Sequence, residues 1–234
     1  MTHGLELHRW PHNTNEALQI QEDLRGRVKI SESRLSPVKI TAVDTAHDAV
    51  KDILYASAVT VSFPDLRVIE RTWASEKAAF DYIPTLRSFR EGPVIIKALM
   101  SLKQEPDLLI FPGHGIAHPK RFGLASHLGL WIDKPSIGCA RKWLAGQFDP
   151  PGDERGDISY LSFENEKAGI VIRSRRGVKP IFVSPGHLCG IENSLHIIRA
   201  CLGEYRLPIP LRLAHLHAAK MCRITSGMEG AKSL

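Results

Sequence analysis

Asp44 closes an apolar run, VKITAVD, and Glu91 lies in the segment FREGP. A carboxylate at the end of a buried strand either caps a turn or faces a site. With Asp48 and Asp52 close behind it, both readings stand. A carboxylate just before a helix either complements the helix dipole or joins the first one. Two carboxylates meeting at a strand–helix junction are the donors that a hard ion such as Mg²⁺ takes, because it prefers oxygen ligands and keeps several waters. The segment PGHGIAHP, residues 112–119, places Gly113, His114 and His118 in a turn after an apolar strand. Glycine there lets backbone come close to a ligand. The two histidines are four apart, yet the flanking glycines and prolines break the helix that a two-histidine zinc site needs. An ordinary loop histidine is the default for His118, and a phosphate contact the sharper reading.

Tyr82, Ile83 and Pro84 put an aromatic and apolar cluster into a polar loop, DYIP. Such a cluster is either half-packed against the core or a wedge that replaces lost base stacking. Arg141 and Lys142 follow a short strand and either bind phosphate or form a solvated basic pair. His215 and His217 lie in a closing helical segment, where a surface or core histidine is the usual case.

These residues need a scaffold. Residues 14–28 read as an amphipathic helix. Residues 38–44, 54–63 and 66–74 read as three close strands, the last two joined at Pro64–Asp65. Residues 81–92 read as irregular, with Pro93 opening a helix because its missing N–H is not needed there. The rhythm then becomes α/β: a strand at 107–111, a helix near 122–131, a strand at 135–139, an exposed loop at 149–157, two later strands in AGIVIRS and KPIFVS, and closing helices in ENSLHIIRACL and LRLAHLHAAKMCR. A meander followed by α/β units fits a single α/β domain. A ribonuclease H-like mixed sheet flanked by helices is one such option. The core spans 38–222, and 223–234 reads as a flexible tail.

At 234 residues and 43% hydrophobic, the chain can bury a core without disulfides. Its four cysteines include no C-x-x-C pair, which argues against a zinc ribbon and suits a reducing cytoplasm. No apolar run is long enough to span a bilayer and no signal peptide is visible. The net charge of +6 favours a polyanionic partner such as nucleic acid.

Taken together, AVD, DYIP, FREGP, PDLLIF, GHGIAHPKRFGLASHLGL, PSIGCARKWL, PIFVSPGH and LPIPLRLAHLH, in this order between Ile40 and Ala218, resemble the endonuclease V family. The resemblance implies a ribonuclease H-like fold and a hydrolase acting in nucleic-acid repair. It would cut DNA, or RNA, at the second phosphodiester on the 3′ side of inosine, using Mg²⁺ or Mn²⁺. Separately from the resemblance, a monomer is the expectation for a single domain of this kind. By the family pattern Asp44 and Glu91 are metal ligands and His215 assists the attacking water. Tyr82, Ile83 and Pro84 form the wedge, Gly113 lines the hypoxanthine pocket, and His118 and Arg141 sit near phosphate.

The chain also departs from that pattern. Pro112 stands where the family has an Asp, and proline has no side-chain oxygen for a metal. Ala46 and His47 replace a Ser and an aromatic, Asp81 replaces a Pro, and Arg141 replaces a Lys. Thr45, His47 and Asp48 are the nearby candidates for a substitute ligand. A protein that recognises inosine without cutting efficiently is therefore the alternative expectation, and restoring Asp at 112 is expected to raise cleavage at least about tenfold. An unrelated metal-dependent hydrolase of small phosphates is a third reading, disfavoured by the DYIP cluster.

Overall fold

The computed structural model describes residues 6–227. One eight-stranded mixed sheet runs through it in the order β3-β2-β1-β4-β5-β8-β7-β6. Strands β1 (Lys39–Asp48), β2 (Ile53–Ser62) and β3 (Val68–Lys77) form the expected antiparallel meander. β4 (Leu108–Phe111) pairs parallel to β1, and β5 (Ser136–Ala140) parallel to β4. β8 (Ile181–Pro185) joins β5 antiparallel, followed by β7 (Glu166–Ile172) and the outer strand β6 (Ile158–Phe163).

Strand alternation splits the core into two layers. On one face Ile40, Ala42, Leu108, Ile110, Ile137 and Val183 pack under α4 (Ile191–Ala200) and α5 (Ile209–Thr225). On the other, Val43, Ala56, Leu109 and Phe111 pack under α2 (Arg87–Met100) and α3 (Leu124–Ile132). A smaller cluster of Ala17, Phe80, Leu86 and Phe89 docks α1 (Thr14–Arg25) beside the start of α2. Asn13 caps α1 by accepting from the Glu16 N–H at 3.0 Å, and Glu16 accepts in return from the His12 N–H at 2.9 Å.

Three expectations change. β1 does not end at Asp44 but continues to Asp48, because it keeps pairing with β2 as far as Asp48↔Ile53. Its pairing with β4 stops at Ala42↔Ile110. Asp44 thus lies just beyond the point where β1 loses its central neighbour. Second, α2 opens at Arg87, not at Pro93, so Pro93 lies inside the helix. Burial of Ser88, Phe89, Glu91 and Gly92 extends the buried face backwards and outweighs the backbone hydrogen bond that proline lacks. Third, ISYLSF forms β6, a strand beyond those expected from the sequence. α5 runs to Thr225, taking in the start of the expected tail, and residues 228–234 lie outside the described part. No helix among the described residues is long and apolar enough to cross a membrane.

Candidate nucleic-acid site

The parallel strands β1, β4 and β5 deliver their C-terminal ends to one side of the sheet, the usual place for a ligand cleft in α/β folds. A cavity of about 560 Å³ opens there, lined by Asp44, Tyr82, Pro84, Arg87, Pro112, Gly113, His118 and Arg141 among others. Four segments that are distant in sequence therefore meet around one space.

Behind the lining residue Gly113, backbone packs on backbone. A Cβ on Gly115 would sit 1.8 Å from the Pro185 carbonyl oxygen, and one on Gly138 would sit 2.5 Å from the Gly113 carbonyl oxygen. Both are closer than real atoms approach, so the turn 112–115 can lie against β5 and β8 only with glycine at these positions. The Gly115 N–H also donates to Ser184 Oγ at 2.8 Å.

The loop Asp81–Pro84 is fastened at both ends. Arg90 donates to the Phe80 carbonyl at 2.6 Å. The Thr85 carbonyl accepts from His118 Nε2 at 2.9 Å and from the buried Gln21 Nε2 at 3.0 Å. Between these anchors Tyr82 is 62% exposed, while Ile83 packs against the Phe80–Phe89 cluster. Tyr82 and Pro84 line the cavity and Ile83 does not. The three residues expected to act as one wedge thus divide into two that face the cleft and one that holds the loop down.

His118 is placed differently from the expected phosphate contact. Its Nε2–H is given to Thr85, and its Nδ1 accepts from the Lys120 N–H at 3.1 Å. As placed, the ring has no N–H left for a phosphate. Burial, opposed in part by the backbone hydrogen bond, pushes its pKa down to about 4, so the ring is neutral. His114 behaves alike: it donates to the Lys142 carbonyl at 3.0 Å and is pushed down to about 4, chiefly by burial. Its Nδ1 has no partner among the described residues. Both histidines are braces for the turn and for its neighbours.

Asp44 and Glu91 are both buried, 4% and 6% exposed. Asp44 lies on the α5 side of β1, where its Oδ2 accepts from His215 Nδ1 at 2.8 Å and its Oδ1 from the Thr45 N–H at 2.9 Å. Glu91 reaches in from α2, accepting from the Thr45 hydroxyl at 2.9 Å and from Arg87 Nε at 2.5 Å. The Arg87 guanidinium also donates to the Pro112 carbonyl oxygen. Burial alone would lower the Arg87 pKa, but the charge and hydrogen bond of Glu91, then the charge of Asp44, more than offset it and hold the group protonated.

This donor set does not fit the Mg²⁺ or Mn²⁺ ion that the resemblance implies. The described residues contain no group of three or more His, Cys, Asp or Glu side chains placed to hold a metal ion. Each oxygen of Asp44 and Glu91 already accepts a hydrogen bond, and a fixed positive charge sits between Glu91 and Pro112. The nearby substitutes are committed elsewhere. Thr45 points its hydroxyl at Glu91. Asp48 accepts from the N–H groups of Val50 and Lys51 and from the Ser226 hydroxyl. His47 pairs with Asp52 at 2.9 Å beside Arg90.

Arg141 and Lys142 lie exposed at the cavity rim, and an adjoining groove of about 490 Å³ carries Arg141, Lys142, Arg173, Lys179 and Arg206 around Trp143. Trp143 is 55% exposed and donates from Nε1 to the Gly146 carbonyl at 3.1 Å. His217 is occupied with Ser57 Oγ at 2.7 Å. Sequence reasoning missed Trp143 and Arg87. The signal for Arg87 was its spacing of four from Glu91, which reads only once α2 begins at residue 87.

The chain matches the family model described as Endonuclease V over residues 22–216. A relative named Endonuclease V from Methanothrix thermoacetophila is 43% identical over 220 residues, covering 94% of this chain and 96% of the relative. Among solved structures, the endonuclease V of Streptomyces avermitilis is 35% identical with a TM-score of 0.87, covering 93% and 96% of the two chains. The endonuclease V of Ciona intestinalis shares the fold at 23% identity and a TM-score of 0.80, over 90% and 97% of the two chains. That protein was solved in complex with a 23mer DNA containing an inosine followed by a ribo-adenosine.

Proposed function

Because this chain belongs to the endonuclease V family, we propose that it engages inosine-containing nucleic acid at this cavity. We propose further that its recognition elements are complete while its hydrolytic centre is depleted. The observation that carries the reading is the convergence of the tethered Tyr82–Pro84 loop and the glycine-lined 112–115 turn on one cavity. A base leaving its stack needs a narrow pocket to enter and a side chain to fill the gap behind it. The turn supplies a close backbone wall, Tyr82 the filling side chain, and Arg141 and Lys142 the charge for phosphates. Inosine rather than another base, and cleavage at the second phosphodiester on its 3′ side, rest on the family pattern.

Asp44 with His215 is the pair best placed for acid–base work. His215 is bound to Asp44 through Nδ1, so among the described residues its Nε2 is left without a partner and is available for proton transfer. Cleavage is expected to be slow, since the oxygen donors for a divalent ion are incomplete. A protein that binds its lesion and cuts it poorly is favoured by one specific contact, that of Arg87 with Pro112. All four cysteines are free thiols and three are buried, which suits the cytoplasm.

The test pairs binding with cutting. Single- and double-stranded DNA and RNA oligonucleotides carrying one inosine, or adenosine at the same place, are titrated and then incubated with Mg²⁺ or Mn²⁺. Inosine is expected to improve affinity at least about tenfold, the scale of one well-read base. Equal affinity for both oligonucleotides would overturn the proposal.

A further inference from the structure

We infer that Arg87 is a built-in cation that takes the place of a divalent ion between Glu91 and the 112 position, so that this protein binds nucleic acid without a metal. The inference rests on the site proposed above but not on its preference for inosine.

Local helix energetics do not explain Arg87. It is the first residue of α2, where the helix dipole disfavours a cation. Its order relative to Glu91, cation before anion at a spacing of four, is the weaker of the two arrangements. What holds it is the site. One nitrogen bonds the Glu91 carboxylate at 2.5 Å and another bonds the Pro112 carbonyl. Asp44 adds attraction from the same cavity wall. A guanidinium is planar, permanently charged and weakly hydrated, so it can stay partly buried between two oxygens more readily than an ammonium.

The two unusual features touch each other. Proline at 112 removes a side chain that could ligate an ion, and its carbonyl oxygen is the acceptor for the cation. A divalent ion and a guanidinium cannot share Glu91 at close range, because their like charges repel in a partly desolvated site. Neutralising the carboxylates internally also leaves the phosphate-binding surface less negative, which favours a polyanion without added metal.

The full-length protein is titrated with Mn²⁺, and free ion is followed by electron paramagnetic resonance, without oligonucleotide. The parent is expected to show no saturable site up to millimolar ion. Arg87→Leu combined with Pro112→Asp is expected to gain one, with affinity at least about tenfold above the parent. In a separate arm, binding of the parent to an inosine oligonucleotide is expected to be unchanged by EDTA. A parental Mn²⁺ site that Asp44→Asn or Glu91→Gln abolishes would overturn the inference, and so would loss of oligonucleotide binding in EDTA. The parental titration decides the matter even if the double variant fails to fold. Absence of any preference for inosine would count against the proposed function alone.

Discussion

The guanidinium of Arg87 donates to the carbonyl oxygen of Pro112, joining the first turn of α2 to the turn that follows β4. This contact changes what a repaired site requires. From sequence alone, Pro112→Asp is expected to restore a ligand. With Arg87 in place, the new carboxylate would form an ion pair with the guanidinium instead. Single-turnover cleavage of an inosine oligonucleotide in Mn²⁺ is therefore expected to rise less than about tenfold for Pro112→Asp and more than about tenfold for the double variant with Arg87→Leu. A single variant that equals the double one would show that Arg87 yields easily.

Tyr82→Ala separates recognition from folding. Its side chain is mostly exposed on a loop whose two ends are held by Arg90 and His118. Affinity for an inosine oligonucleotide is expected to drop by about 1–3 kcal/mol, the value of one stacked base, with little change in Tm. The loop anchor Ile83 should behave in the opposite way: Ile83→Ala lowers Tm because it opens the Phe80–Phe89 cluster. Thermal melts of the two variants beside their binding isotherms decide between these roles.

Trp143 is expected to extend the footprint beyond the pocket. It stands exposed among Arg141, Lys142 and Arg206 and lines both the cavity and the groove next to it. Trp143→Ala should weaken binding of a long single strand by about 1–3 kcal/mol, and that of an oligonucleotide too short to reach the groove by less. Arg141→Ala should instead reduce the salt dependence, lowering the slope of log K against log salt by about 1. A loss for Trp143→Ala that is equal on short and long strands would show that the tryptophan contacts the strand only within the cavity.

Acid should unfold the protein early. Burial pushes His114 and His118 down to about 4, well below the roughly 6.5 of an exposed histidine. Between those values the unfolded chain binds the extra protons. Stability is therefore full above pH 6.5 and is lost as pH falls toward 4. Between pH 7 and 5 each ring is worth up to about 2 kcal/mol, and His127, also lowered by burial, adds in the same direction. Tm is expected to fall by roughly 8 °C or more over that interval. His118→Gln, which can still donate to Thr85, should melt earlier at pH 7 but show a shallower dependence on pH. An unchanged pH profile in that variant would mean that His118 titrates normally.

Much of the scaffold was legible in the sequence because it depends on local rules. Alternating apolar residues predicted most strands of the sheet, and apolar periodicity predicted α1, α3, α4 and α5. The glycines of the 112–115 turn implied a close approach of backbone to a ligand, and the resemblance to the endonuclease V family marked Pro112 as lacking the side-chain oxygen of the family pattern. Boundaries were less legible where tertiary contacts extend an element. β1 continues past Asp44 because β2 keeps pairing with it, and α2 starts six residues before Pro93 because Phe89 and Glu91 find burial.

What only the tertiary structure decided is how the charges are arranged. Asp44 and Glu91 are 47 residues apart in sequence, and no spacing rule states what lies between them. The fold puts Thr45 and His215 on their oxygens and directs Arg87 at Glu91 and at the backbone of Pro112. The fold likewise turns His118 inward, onto a carbonyl and away from phosphate. Residue type determined which groups could carry charge or donate a hydrogen bond. The partner of each group depended on long-range packing, because electrostatic attraction and hydrogen bonding act over a few ångströms of space and take no account of separation along the chain.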